Sequence, residues 1–78
     1  MKAIQWKRIP IPFANMEAYG ARWPHVSFVV SFDHANPERG FGASFKRVCC
    51  DVVFLDRSFE SLEQAQAAVV TAYERSAQ

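Results

Sequence analysis

The fold is decided by residues 25–33, which read HVSFVVSFD. Apolar side chains occupy every second position of this stretch, at Val26, Phe28, Val30 and Phe32. The positions between them hold Ser27, Val29, Ser31 and Asp33. Because successive side chains of a β-strand point to opposite faces, the alternation predicts a strand with one apolar face and one mixed face.

A second long β-rich segment follows a turn. Residues 36–40 read NPERG, and the Pro and Gly in this order favour a reversal of the chain. We expect Ala43 to Asp56 to return as one strand and to form a hairpin with the first. The face shared with the Val26 side is predicted to hold Val48, Cys50, Val52 and Phe54, and the opposite face Phe45, Cys49, Val53 and Leu55.

The N-terminal third gives weaker signals. Residues Ala3 to Ile9 alternate around Trp6 and predict a short strand, which Pro10 and Pro12 confine to a sheet edge because proline cannot donate to a ladder. From Phe13 to Pro24 no period holds, and we interpret this segment as a connecting loop.

A helix is predicted near the C-terminus. Ser61 followed three residues later by Gln64 is typical of a capping box, so the helix should begin at about Leu62. Its apolar stripe comprises Leu62, Ala65, Val69, Ala72 and Tyr73. The predicted fold class is α+β, a three-stranded antiparallel sheet packed on one face by a single C-terminal helix, in one domain that spans residues 1–78.

Charge and cysteine content restrict the function. The 9 Lys and Arg against 8 Asp and Glu give a net charge of +1, too small for a strong overall field. Cys49 and Cys50 are adjacent, and neighbours on a strand point apart, so we expect neither an ordinary disulfide nor a shared metal. This cysteine use is typical of a reducing compartment and predicts a cytoplasmic protein. We expect no signal peptide and no membrane segment, since no apolar run approaches about 20 residues.

One arrangement of reactive side chains depends on the hairpin register. If Asp33 pairs with Ala43, then His25 lies opposite Asp51 and Cys49 lies on the same face. A cysteine nucleophile, a histidine base and a third group that orients the base are the groups used in thiol catalysis. A shift of one residue removes it, and an open sheet offers no oxyanion hole. We therefore expect a protein that is not an enzyme. No ligand spacing predicts a metal, a cofactor or a small-molecule site.

The uncovered side of the sheet and the loop suggest a binding surface. One helix covers one face only, and exposed apolar patches with aromatic and Arg residues are typical of partner sites. The candidate partner-binding residues are Phe13, Tyr19, Arg22, Trp23, Val29, Phe45, Arg47 and Cys49. The alternative is that the 13–24 loop folds over this face and that its aromatic side chains belong to the core.

The function expected from these features is a small protein-binding module that works through its sheet face, an edge strand or the aromatic loop. By class-level analogy, compact proteins of this size occur among phage and mobile-element accessories, including inhibitors such as anti-CRISPR proteins. Two alternatives remain. One is a nucleic-acid-binding domain that uses Lys7, Arg8, Lys46 and Arg47, and the other is a homodimer that pairs its sheets.

Overall fold

The computed structural model describes residues 4–10 and 15–76 of the chain. These residues form strands β1 (Lys7–Ile9), β2 (Met16–Trp23), β3 (Val26–Asp33), β4 (Phe41–Arg47) and β5 (Val53–Phe54), a 3₁₀ turn at Pro37–Arg39, and helix α1 (Leu62–Ser76). The strands are antiparallel and follow the order β1-β2-β3-β4-β5. The α+β class with one C-terminal helix packed on an antiparallel sheet is confirmed. The predicted number of three strands is wrong, because the sheet has five.

One of the two additional strands, β2, was hidden by a weak local signal. Strand β2 lies inside the stretch interpreted as a loop, and it pairs with β3 along its whole length, from Met16 opposite Asp33 to Trp23 opposite Val26. Its small residues have little β-propensity, so the ladder to β3 is what holds it extended. At Gly20 a Cβ would lie 2.8 Å from Cδ1 of Ile9, which explains why a glycine stands beside β1.

The segment predicted as one strand from Ala43 to Asp56 is two strands. Strand β4 ends at Arg47, and a turn follows in which the Cys50 N–H donates to the Arg47 carbonyl at 3.2 Å. Cys49 takes a φ of 67° in this turn, a left-handed conformation uncommon outside glycine. The chain then returns as β5, with Val53 opposite Phe45 and Phe54 opposite Ser44.

The inward and outward faces of this segment were predicted in the wrong phase. Phe45 pairs with Phe28 on the side of the helix and is 3% exposed, whereas Phe54 is 76% exposed on the opposite side. The helix-facing positions of β4 also include Ala43 and Arg47, which carry little apolar signal. The more apolar residues Val48 and Val52 stand in the exposed turn region instead.

The core lies between α1 and the middle of the sheet. The predicted inner face of β3 is confirmed for Val26, Phe28 and Val30, which are 3%, 0% and 0% exposed. From the helix, Ala65 and Val69 are both 0% exposed. Since α1 contacts β3 and β4, it covers one side of the sheet and leaves the other side open.

The predicted start of the helix at Leu62 is also confirmed. The Gln64 N–H donates to Ser61 Oγ at 3.2 Å, and the Glu60 N–H donates to Gln64 Oε1 at 3.2 Å. The first bond satisfies a backbone donor that an uncapped helix end would leave free, and the second joins the residue before the cap to the first turn. Within the described part of the chain, no helix is long and apolar enough to cross a membrane.

Candidate functional site

The candidate site is the side of the sheet opposite α1, called here the outer face. Directly paired residues of an antiparallel sheet point to the same side, so the register assigns each side chain to a face. A central row crosses all five strands and consists of Lys7, Gly20, Val29, Ser44 and Phe54. The row on one side of it holds Arg22, Ser27 and Lys46, and the row on the other side holds Ile9, Ala18, Ser31 and Gly42.

Small side chains form the floor of the outer face. Six of the positions in these rows are Gly, Ala or Ser: Ala18, Gly20, Ser27, Ser31, Gly42 and Ser44. Those on β3 and β4 leave the backbone close to the surface, whereas on β2 Ala18 is 5% exposed and the Ile9 side chain lies over Gly20. A flat ligand group can therefore approach the sheet closely, and the hydroxyl groups can accept or donate hydrogen bonds.

Three cationic side chains lie beside these small residues, on three different strands. Lys7, Arg22 and Lys46 are all exposed, and none of them forms an ion pair with another described residue. Arg22 and Lys46 flank Ser27, so two strand spacings separate their backbones, roughly 10 Å. The three rows contain no acidic residue.

The carboxylate of Asp33 lies on the same side, at the end of β3, and is already engaged. Asp33 accepts hydrogen bonds from the Ala35 N–H and from Nδ2 of Asn36, both at 2.9 Å. These bonds, from Asn36 first and then from the Ala35 backbone, lower the pKa of the Asp33 carboxyl. The Asp33 carboxylate therefore stabilises the turn after β3, and it lies outside the three rows.

Shallow grooves run across the basic part of the outer face. The larger, of about 760 Å³, is lined by Lys7, Ile9, Gly20, Arg22, Ser27 and Val29, together with parts of neighbouring residues. A smaller one of about 240 Å³ is lined by Arg22, Ser27 and Lys46 among others. Arg22 and Ser27 border both grooves, so the cations line a continuous depression.

Apolar side chains stand exposed at both edges of the outer face. Phe54 lies on the edge strand β5 and is 76% exposed. Ile9 on the other edge strand, β1, is 38% exposed, and Val29 on the central strand β3 is 37% exposed. An aromatic ring exposed to this degree contributes little to the core and offers an open π-face.

Three of the aromatic residues predicted as partner contacts, Tyr19, Trp23 and Phe45, lie on the other side of the sheet. The Trp23 ring centroid is 5.4 Å from that of Phe28 and 5.9 Å from that of Tyr73, and the Phe45 centroid is 5.8 Å from that of Tyr73. Tyr19 is half-buried on the same side. The alternative, that these rings belong to the core, therefore describes Trp23 correctly, and Phe45 belongs to the core as well.

Arg47 has a structural position at the end of the helix. Its guanidinium lies 5.1 Å from the Tyr73 ring centroid and donates to the Tyr73 carbonyl at 3.5 Å and to Ser76 Oγ. A cation at the C-terminus of a helix is stabilising because it complements the helix dipole. Arg8, named with Arg47 in the nucleic-acid alternative, also lies on the helix side, where it is 3.9 Å from Glu17.

Of the remaining candidate residues, two lie on the outer face and one lies next to it. Arg22 and Val29 are part of the rows, and Cys49 is exposed in the turn after β4. Phe13 lies outside the described residues. Gly20 and Phe54 were not predicted as site residues, and the face of Arg22 could not be inferred while β2 was interpreted as a loop.

The supposed thiol arrangement does not form. Val30, and not Asp33, pairs with Ala43, so the true register differs by three residues and reverses the faces. Cys49 lies in the turn after β4, and the His25 carbonyl accepts the Val48 N–H at 3.2 Å. Among the described residues, no group of three or more His, Cys, Asp or Glu side chains could hold a metal ion.

Comparisons with known proteins found no protein similar to this chain. No protein-family model matches the sequence, and neither curated proteins nor solved structures show significant similarity to it. The outer face is therefore the feature from which a function can be inferred.

Proposed function

We propose that the protein is a non-enzymatic binding module that holds a negatively charged macromolecule on the outer face of its sheet. One observation carries the proposal. Three exposed cations from β1, β2 and β4 stand over a floor of small side chains, with no acidic residue in the same three rows. Opposite charge on a partner would meet no competing carboxylate within these three rows.

Two features support the outer face over the other surfaces considered. The aromatic residues first considered for binding, Tyr19, Trp23 and Phe45, are on the helix side, where Trp23 and Phe45 pack into the core. A partner would have to displace this packing to reach them. The outer face needs no such rearrangement, because its cations and grooves are already accessible.

Several acidic residues of the chain lie away from the three rows. Acidic residues are frequent around α1, with Glu60 before it and Glu63 and Glu74 within it, all exposed. A net charge of +1 therefore coexists with a local basic surface. Since the Debye length is about 8 Å at physiological ionic strength, such a surface acts on a partner in contact with it.

Retention on immobilised heparin, a generic polyanion, tests the proposal. The test variant carries Lys7→Gln, Arg22→Gln and Lys46→Gln. The matched control carries Arg39→Gln, Arg57→Gln and Arg75→Gln, which removes the same charge from exposed positions outside the strands. Circular dichroism establishes that both variants fold.

We expect the wild type and the control to be retained and to elute at similar salt concentrations. The outer-face variant should elute at clearly lower salt. Equal loss of retention in both variants would show that only net charge matters. That result, or a wild type that is not retained at all, would contradict the proposal.

A further inference from the structure

We infer that the macromolecule held on the outer face is a single-stranded nucleic acid, an inference that rests on the function proposed above. The additional observation is Phe54, which lies in the central row with Lys7 and is 76% exposed. Proteins that bind single strands combine a cationic groove along the backbone with exposed aromatic rings on which bases stack. Both elements are present on this face.

The arrangement of the rows suits an extended, flexible chain. A strand laid across the sheet along the central row would meet the Phe54 ring at one edge and the Lys7 ammonium at the other. Arg22 and Lys46 would flank it on one side, within reach of its phosphates. Between them, the small side chain of Ser44 leaves room for sugars and bases to lie close to the backbone of β4.

The width of the sheet argues against recognition of a duplex. Five strands at a spacing of about 4.8 Å place the outermost strand axes roughly 19 Å apart. The major groove of B-DNA is about 12 Å wide and admits a helix or a two-stranded ribbon. A face of this width would touch only the rims of the groove.

The size of the face argues against an acidic protein as partner. With strands of at most 8 residues, the outer face covers roughly 500 Å² between the axes of its outermost strands. A stable protein interface buries about 800 Å² on each partner. A few nucleotides need less area, since each phosphate contact and each stacked base contributes separately.

Fluorescence anisotropy with a labelled oligothymidylate of about a dozen nucleotides, titrated at several salt concentrations, tests the inference. With three phosphate contacts, log affinity should fall against log salt with a slope of about −2. Lys46→Gln should weaken binding and reduce this slope by about 0.7. Phe54→Ala should weaken binding about tenfold and leave the slope unchanged.

One control is on the same strand as Phe54, and the other is on the helix. Val53→Ala changes the neighbouring residue of β5, which is on the helix side and 46% exposed, and Arg75→Gln removes a cation from α1. Both should bind as the wild type does. A duplex of the same length should bind more weakly than the single strand.

Three outcomes would overturn the inference. The first is a Phe54→Ala variant with unchanged affinity, and the second is a duplex that binds as well as the single strand. The third is binding of polyglutamate equal to that of oligothymidylate, which would indicate an acidic protein partner. If heparin retention still depends on the three outer-face cations, the proposed function stands without the inference, and if it does not, both fail.

Discussion

Phe45 and Phe54 lie on neighbouring strands and point to opposite sides of the sheet. Phe45 is 3% exposed and contacts Tyr73 of the helix, whereas Phe54 is 76% exposed. The same truncation should therefore have very different costs. Phe45→Ala should lower the free energy of unfolding by about 3–5 kcal/mol, because it leaves a cavity in the core. Phe54→Ala should change it by less than about 0.5 kcal/mol.

Urea unfolding of the two variants, followed by circular dichroism, measures this difference. Each variant is the control for the other, since the residue type and the substitution are the same. Similar losses in both, or a larger loss for Phe54→Ala, would mean that the two faces of β4 and β5 are assigned the wrong way round.

At the scale of single residues, the sequence predicted part of the site. Val29 was correctly placed on the uncovered side because it belongs to an alternation that spans the whole of β3. The phase of β4 was missed because Ala43 and Arg47 occupy inward positions without an apolar signal. The residue type at Cys49 does not predict a turn, since cysteine rarely adopts the positive φ that it has here.

The turn between β3 and β4 is the element whose stability should depend on pH. Asp33 accepts hydrogen bonds from Ala35 and Asn36, which stabilise its charged form and hold its pKa below the usual value of about 3.9. A carboxyl with a lowered folded-state pKa stabilises the fold above the unfolded pKa. This contribution is lost as the pH falls through the folded pKa.

Asp33→Asn should therefore lower the urea midpoint at pH 7, and the difference from the wild type should disappear in strongly acidic buffer, well below pH 4. The control is Asp51→Asn, because the Asp51 carboxylate makes no hydrogen bond to another described side chain or backbone group, and its midpoint should follow the wild type. A difference for Asp33→Asn that is the same at both pH values would show that the charge of Asp33 has no role in the turn.

Among the elements, those with a local signal were predicted and those that depend on distant partners were not. The start of α1 follows from Ser61 and Gln64, which lie within one turn of each other. Strand β2 has no such local signal, because it is held extended by its ladders to β1 and β3. Once β2 was missed, the strand that carries Arg22 and the central part of the outer face were missed with it.

At the scale of the whole molecule, the core and the proposed binding surface are on opposite sides of one sheet. Phe28, Val30 and Val69 are fully buried between the sheet and α1, while Lys7, Arg22 and Lys46 are exposed on the other side. The cations can therefore be replaced without disturbing the core. This separation allows stability and binding to be measured independently.

The central claim is that the outer face, and not the helix side, contacts the partner. A methyl-detected NMR titration of the folded protein with the oligothymidylate tests it most directly. The account predicts that the methyl signals of Ile9 and Val29 shift with added ligand, while those of Val69 and Val70 on α1 stay in place. Shifts confined to the helix methyl groups, or no shift of the Val29 signals at saturating ligand, would contradict the claim.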